Sequence, residues 1–396
     1  MTLDSPAARI QAEIAAEQDD LIALRRDIHA HPETGFEEKR TAALVAERLK
    51  AWGLEVSEGI AGTGVVGTLK GKRPGNRAIG LRADMDALHI TETTGLPHAS
   101  THAGKMHACG HDGHTAMLLA AARQMAKDPD FAGTVHFIFQ PAEEGLGGAR
   151  VMIEEGLLER FPIDAAYGMH NAPESPVGSF ALRTGPMMAA ADTWTATFTG
   201  TGGHGGAAAH LSTDPTIPTA HFVLAVQGII GRNVAAVDTA VLSVGHIGAG
   251  DYNSPNIIPS QVVVRGTARS YKPEVRDILE NRLKAVAAGC AATHGCGADL
   301  HYLRRYPPLI NAAAQADIAA EVAAGLVGRA NVDENLAPRT GAEDFSFVLE
   351  RVPGAMIFIG NGSPERGLHA PVYDFNDGIL ALGATYWVML ARRELA

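Results

Sequence analysis

Cysteine is scarce in this chain. Three thiols, Cys109, Cys290 and Cys296, occur in 396 residues, too few for a disulfide framework. A reducing cytoplasm is therefore the expected compartment. Cys290 and Cys296 read as small core residues, with a disulfide between them as the alternative. Basic charge is also short. Lys and Arg total 33 against 44 Asp and Glu, and the formal net charge is -11. That balance argues against nucleic-acid binding, which needs clustered Lys and Arg. Long apolar runs and basic amphipathic helices are missing, so no membrane partner is expected. The opening Met1-Thr2-Leu3-Asp4-Ser5 lacks the charged start and apolar core of a secretory signal. No internal repeat or low-complexity linker is present.

What remains is a globular composition. Hydrophobic residues make up 46% and charged residues 19%, which suits a soluble protein with sizeable cores. The length favours two domains. Residues 6–30 read as one helix with Leu21, Leu24 and Ile28 on one face. His31-Pro32-Glu33-Thr34-Gly35 ends it, and a second helix follows over 37–52. Residues 64–69, 78–82, 134–139 and 165–169 read as strands, with helices over 114–126 and 149–158 between them. Strands alternating with helices predict an α/β domain with a mixed, mainly parallel sheet. The run 134–139 is apolar throughout, as expected for a sheet covered on both faces.

The pattern changes near Gly185. A strand over 193–199 leads into Gly200-Thr201-Gly202-Gly203-His204-Gly205-Gly206. A helix over 215–231, strands over 239–247 and 261–270, a helix over 273–293 and a strand over 299–304 follow. Pro273 suits a first helical turn. This βαββαβ order is the ferredoxin-like unit. It predicts an α+β domain, 186–305, inserted into a domain made of 1–185 and 306–396.

The densest chemistry is Cys109-Gly110-His111-Asp112-Gly113-His114. Thiolate, neutral imidazole and carboxylate are the side chains that hold zinc-like transition metals. A polar loop with one buried thiol is the bland alternative. In extended chain, Cys109 and His111 would point to one side. Glu143-Glu144 follows the strand 134–139, and adjacent carboxylates in extended backbone point opposite ways. One can then bind metal while the other faces a reacting water, and spacing does not say which. Their place at a strand's carboxyl end is where ligands bind in open α/β sheets. His170 also reads as ending a strand. His369, in Gly367-Leu368-His369-Ala370-Pro371, is not selected by spacing. Asp84 and Asp86 read as supports behind the ligands, and Asp112 is placed with them.

These motifs together resemble the aminoacylase and carboxypeptidase-G-like metallopeptidase family. Within it they are similar to the branch of hippurate hydrolases, N-acyl-L-amino-acid amidohydrolases and indoleacetyl-amino-acid hydrolases. The matching stretches include His29-Ala30-His31-Pro32-Glu33, Arg82-Ala83-Asp84-Met85-Asp86 and Met106-His107-Ala108-Cys109-Gly110-His111-Asp112. Gln140-Pro141-Ala142-Glu143-Glu144, Gly168-Met169-His170, Asn256-Ile257-Ile258-Pro259, Gly341-Ala342-Glu343-Asp344 and Leu368-His369-Ala370-Pro371 continue the order. The resemblance implies two divalent ions per subunit, held by Cys109, His111, Glu144, His170 and His369. Zinc, manganese, cobalt and nickel all suit that ligand set. It assigns Glu143 as general base and His204 as the donor to the tetrahedral oxyanion, reaching a partner subunit. A homodimer or higher homo-oligomer, with the inserted domain as lid and dimerisation domain, is implied. Asn256, Arg269 and His210 resemble positions that contact the substrate. Arg269 suits a carboxylate through its bidentate fork.

The implied activity is hydrolysis of the amide bond of a small N-acyl or N-aroyl amino acid. Hydrolytic deamination of an amino-aromatic acid at the same centre is the alternative. A non-catalytic binding protein keeping the fold is the reading from a different class. Five residues depart from the family: Gly205-Gly206 replaces Ala-Ala, Ala209 and His89 replace prolines, and Leu146 interrupts a run of glycines. All lie where the substrate would be shaped or the lid would hinge. Cys109 itself points to the acyl-amino-acid branch, away from relatives with a carboxylate there.

Overall fold

The computed structural model describes residues 5–396, so Met1 to Asp4 of the opening stretch lie outside the described residues. The chain divides into two compact units. The first takes everything described up to Met187, with Ile310–Ala337 and Asp344–Ala396. The second is Met188–Leu309 with Pro338–Glu343.

A mixed sheet forms the first unit. Its strands run in the order Glu55–Ile60, Gly64–Lys70, Ala132–Gln140, Arg73–Asp84, Ala165–Ala172, Gly354–Gly360, Phe180–Ala181 and Val332–Asp333. From Ala132–Gln140 to Gly354–Gly360 every neighbour is parallel. Ala165–Ala172 and Gly354–Gly360 are buried along their whole length. Both faces are therefore covered, which is why these strands read as unbroken apolar runs. Helices His111–Lys127 and Leu380–Glu394 belong to that cover, and Met117, Leu118, Trp387 and Tyr386 fill the core between layers.

Three local expectations fail. The helix expected over 6–30 is two, Pro6–Ala15 and Gln18–Ala30. No proline or glycine marks the break. Re-phasing there buries Ile10 and Ile14 and then Leu21 and Ile28, a demand of tertiary packing. The helix expected from 114 begins at His111. The strand Glu55–Ile60 was not anticipated, because its polar sequence suits an edge.

The second unit is a four-stranded antiparallel sheet with two helices. Its strands are Ala190–Thr199, Ala240–Ala249, Gln261–Ser270 and Gly297–Tyr306. Their spatial order, second-third-first-fourth, is that of a ferredoxin-like sheet. Ala190–Thr199 buries every other residue, among them Trp194 and Phe198, against Phe222 of helix Thr216–Asn233. Leu279 and Leu283 of helix Pro273–Thr293 complete this core. Cys290 and Cys296 lie half-buried at its margin as free thiols.

Candidate metal centre

The carboxyl ends of three parallel neighbours, Arg73–Asp84, Ala132–Gln140 and Ala165–Ala172, carry most of the candidate residues of the first unit. Asp84 closes the first strand, the Glu143-Glu144 turn follows the second, and His170 belongs to the third. His170 lies inside its strand rather than at its end.

Cys109 and His111 are not in extended chain. Gly110 between them has φ 93° and caps the helix that His111 begins. A Cβ at Gly110 would lie 2.2 Å from Asn171 Nδ2 and 2.6 Å from the Tyr373 hydroxyl. Only glycine meets both demands, the left-handed backbone and the close approach. Glu143 and Glu144 are not extended either. They sit in a turn, after Ala142 at φ 55°. Their backbone N–H groups donate to the two oxygens of the Asp86 carboxylate, at 3.0 and 2.9 Å. Both side chains therefore face one place: their oxygens and a His111 nitrogen lie within 4.8 Å of one another.

Among the further groups that converge under the same 4.8 Å limit, two contain Cys109: Cys109 with His111 and His170, and Cys109 with Glu144 and His369. Cys109 is common to both. Its Sγ is 3.3 Å from His170 Nε2, and His369 Nε2 is 3.2 Å from a Glu144 oxygen. His369 has φ 62° and is largely exposed, with its backbone N–H on Ala108 O at 2.7 Å.

The ring orientations follow from their outer bonds. His111 Nδ1–H donates to the Asp86 carbonyl at 2.8 Å, and His170 Nδ1–H to the Asn171 carbonyl at 2.7 Å. Each ring then presents the Nε2 lone pair inward, the arrangement typical of metal-ligating histidines. His111 Nε2 is fully buried and has no hydrogen-bond partner. An orphaned buried nitrogen is costly unless something fills its lone pair. Burial, then the Glu144 and Glu143 carboxylates, push the Cys109 thiol well above its ordinary range. A soft sulfur, imidazoles and carboxylates gathered in one place fit divalent transition-metal ions.

Asp84 is a support. Its carboxylate accepts from Arg82 at 2.7 Å and from His114 Nδ1–H at 2.6 Å. Burial opposes its charge, but His111 and Arg82 hold its pKa well below the ordinary value. His114 was not singled out by sequence reasoning as a support. Its Nε2 accepts from the Asn171 backbone N–H at 3.0 Å, so both nitrogens are used and no lone pair remains for an ion. Arg82 was also missed. It binds Gln140 at 2.8 Å and Asp344 at 3.0 Å. Its signal was a lone charge inside an apolar strand. Asp112 turns away from these groups to His29 at 2.8 Å and Arg25 at 3.3 Å.

The other candidates belong to the second unit. His204 is exposed, and its Nδ1 accepts the N–H groups of Gly206 and Ala207, both at 3.1 Å. Its neutral ring therefore keeps the proton on Nε2, a free donor. Asn256 lies beside it, its carbonyl accepting from Gly205 N–H at 2.7 Å. His210 is exposed on the same loop, in the turn Ala209–Leu211. Arg269 stands apart, at the far end of strand Gln261–Ser270, opposite Ala191. Its guanidinium donates to the Ala268 carbonyl at 2.9 Å and to the Thr267 hydroxyl.

A family model described as peptidase family M20/M25/M40 matches residues 80–393. The chain belongs to that family. It is 41% identical to hippurate hydrolase of Campylobacter jejuni, over 97% of this chain and 98% of that one. It is 38% identical to N-acetyl-L-cysteine deacetylase of Bacillus subtilis, over 96% of this chain and 88% of the relative. A crystal structure of a Bacillus subtilis protein, described as a dinuclear metal-binding peptidase of the M20 family, superposes with TM-score 0.84. It is 33% identical and covers 96% of this chain and 99% of its own. This M20 protein is a metal-dependent hydrolase acting on carbon–nitrogen bonds, with the α/β fold and inserted α+β unit expected of its sequence. No helix among its described residues is long and apolar enough to cross a membrane.

Proposed function

We propose that the chain hydrolyses the amide bond of small N-acyl or N-aroyl amino acids at a two-ion centre. Cys109, His111, Glu144, His170 and His369 are its ligands, and Glu143 is its general base. The observation that carries this reading is the sharing of Cys109 between two converging groups, with Glu143 beside them. Two divalent ions held by these residues would supply acidification of an attacking water and polarisation of the scissile carbonyl. Glu143 takes the proton from that water and returns it to the leaving amine. Asp86 holds the turn from which Glu143 projects. The similarity to hippurate hydrolase and N-acetyl-L-cysteine deacetylase supports an acyl amino acid as substrate class.

His204 Nε2–H supplies the hydrogen bond to the tetrahedral oxyanion. Asn256 and His210 share its loop, and Arg269 takes the substrate carboxylate. At about 3.3 Å per residue, Arg269 lies roughly 25 Å along its strand from the end that His204 borders. One unit cannot place both on one small substrate. That separation supports a homodimer in which His204 serves the partner subunit's centre, with residues 186–305 as lid and dimerisation domain. The strand Ala240–Ala249 is an unpaired sheet edge with Val241 and Ile247 exposed, and Leu224 stands exposed on helix Thr216–Asn233. Such an edge suits continuation by a second copy. A thiolate ligand suits a reducing cytoplasm.

The test is turnover by metal-loaded protein on hippurate, N-acetyl amino acids and amino-aromatic acids. Release of the free amino acid is expected. Ammonia from an amino-aromatic acid without any amide cleavage would favour the deaminase, and no turnover across the panel would contradict the reading.

A further inference from the structure

Glu38 is fully buried and lies outside every motif discussed above. It stands at the start of helix Lys39–Ala51, where a carboxylate ordinarily caps the helix. It does not. Glu33 does so instead, accepting from Arg40 N–H at 2.9 Å and Thr41 N–H at 2.8 Å. The Glu38 carboxylate is turned the other way. Its Oε1 accepts from Ala142 N–H at 2.9 Å and Phe36 N–H at 3.0 Å. Its Oε2 accepts from the Thr63 hydroxyl at 2.6 Å.

Ala142 and Phe36 are two non-glycine residues at positive φ, 55° and 63°. Backbone of that kind persists only where its surroundings hold it. One oxygen of Glu38 holds both. The next two N–H groups, of Glu143 and Glu144, go to Asp86. Three successive amides of one turn thus end on two buried carboxylates. Charge-assisted bonds of this kind are stronger than neutral ones.

We propose that Glu38 is a positioning residue: with Asp86 it fixes the turn Ala142-Glu143-Glu144, and so aims the base and one ligand together. This rests on the roles proposed for Glu143 and Glu144. A ligand-supporting residue of this sort typically matters by roughly 10–100-fold in activity or metal affinity.

Three variants test it. Glu38→Ala should lower kcat by roughly 10–100-fold with KM nearly unchanged, and weaken retention of one of the two ions against a chelator. Glu38→Gln, whose amide oxygen still accepts both N–H groups, should recover most of both losses. Thr63→Val removes a buried partner of Glu38 but leaves the turn bonds, so it should cost thermal stability while kcat and ion retention stay as in the parent. The proposal is overturned if Glu38→Ala keeps kcat and ion retention, or if Thr63→Val loses them equally. Should Glu38→Ala not fold, Glu38→Asp, one methylene shorter, carries the same expectation and the same refutation. If the parent cleaves no amide, the hydrolase reading fails by itself. Chelator retention of the ions then decides the role of Glu38 separately.

Discussion

The two units treat histidine in opposite ways. In the first unit, His111 and His170 are buried, and each has Nδ1 fixed on a backbone carbonyl, leaving Nε2 inward. In the second, His204 is exposed and fixed only by two N–H groups of its own loop, leaving an Nε2–H donor outward. The same side chain is thus prepared as a lone-pair ligand in one place and as a proton donor in the other. Outer hydrogen bonds set that difference. The lesson is one of environment: buried rings are oriented by backbone carbonyls, and an exposed ring by the N–H groups of its own loop.

Replacements should separate the two halves of that comparison. Glu143→Gln in the buried centre should reduce kcat by roughly 10²–10⁴-fold with metal content unchanged, read by steady-state kinetics beside elemental analysis. Full turnover in that variant would remove the base from Glu143. His204→Ala should cost about 10²–10³-fold in kcat, the usual loss for one oxyanion donor. Because the side chain is exposed, neither the melting temperature nor the metal content should change. A fall in metal content would place His204 among the ligands and dissolve the contrast. Arg269→Lys should raise KM several-fold for substrates with a free carboxylate and leave their amides unaffected, since Lys lacks the bidentate fork. An equal change for both substrate kinds would make Arg269 a structural strand residue.

A separate expectation concerns stability against pH rather than activity. Burial lowers the pKa of His136, beside Thr68 Oγ1 at 2.9 Å, to about 4 from an ordinary 6.5. The unfolded chain then takes up this proton near pH 6.5 and the folded protein only near pH 4. Stability from the neutral ring is complete above pH 6.5 and is lost as pH falls toward 4. The shift corresponds to no more than about 3 kcal/mol. His136→Gln should flatten the acid side of a stability–pH profile, and an unchanged slope would refute the assignment.

Much of the fold was legible because local and tertiary demands agreed. Residues 261–270 and 273–293 form a strand and a helix with the expected ends, since Pro273 marks the boundary between them. The parallel centre was legible in unbroken apolar runs. The turns carrying the chemistry were not. Gly110 adopts its left-handed conformation against Asn171 and Tyr373, and Ala142 adopts its own against Glu38. Those partners are remote in sequence, so Cys109-His111 and Glu143-Glu144 both read as extended. His114, Arg82 and Glu38 escaped notice for the same reason: what marks them is what they touch.

The central claim is that Cys109 is shared by two ions. Metal content per chain, measured after loading and dialysis, tests it most directly. About two ions are expected in the parent, about one in His369→Ala, and close to none in Cys109→Ala. A single ion in the parent, or two ions retained by Cys109→Ala, would contradict the account.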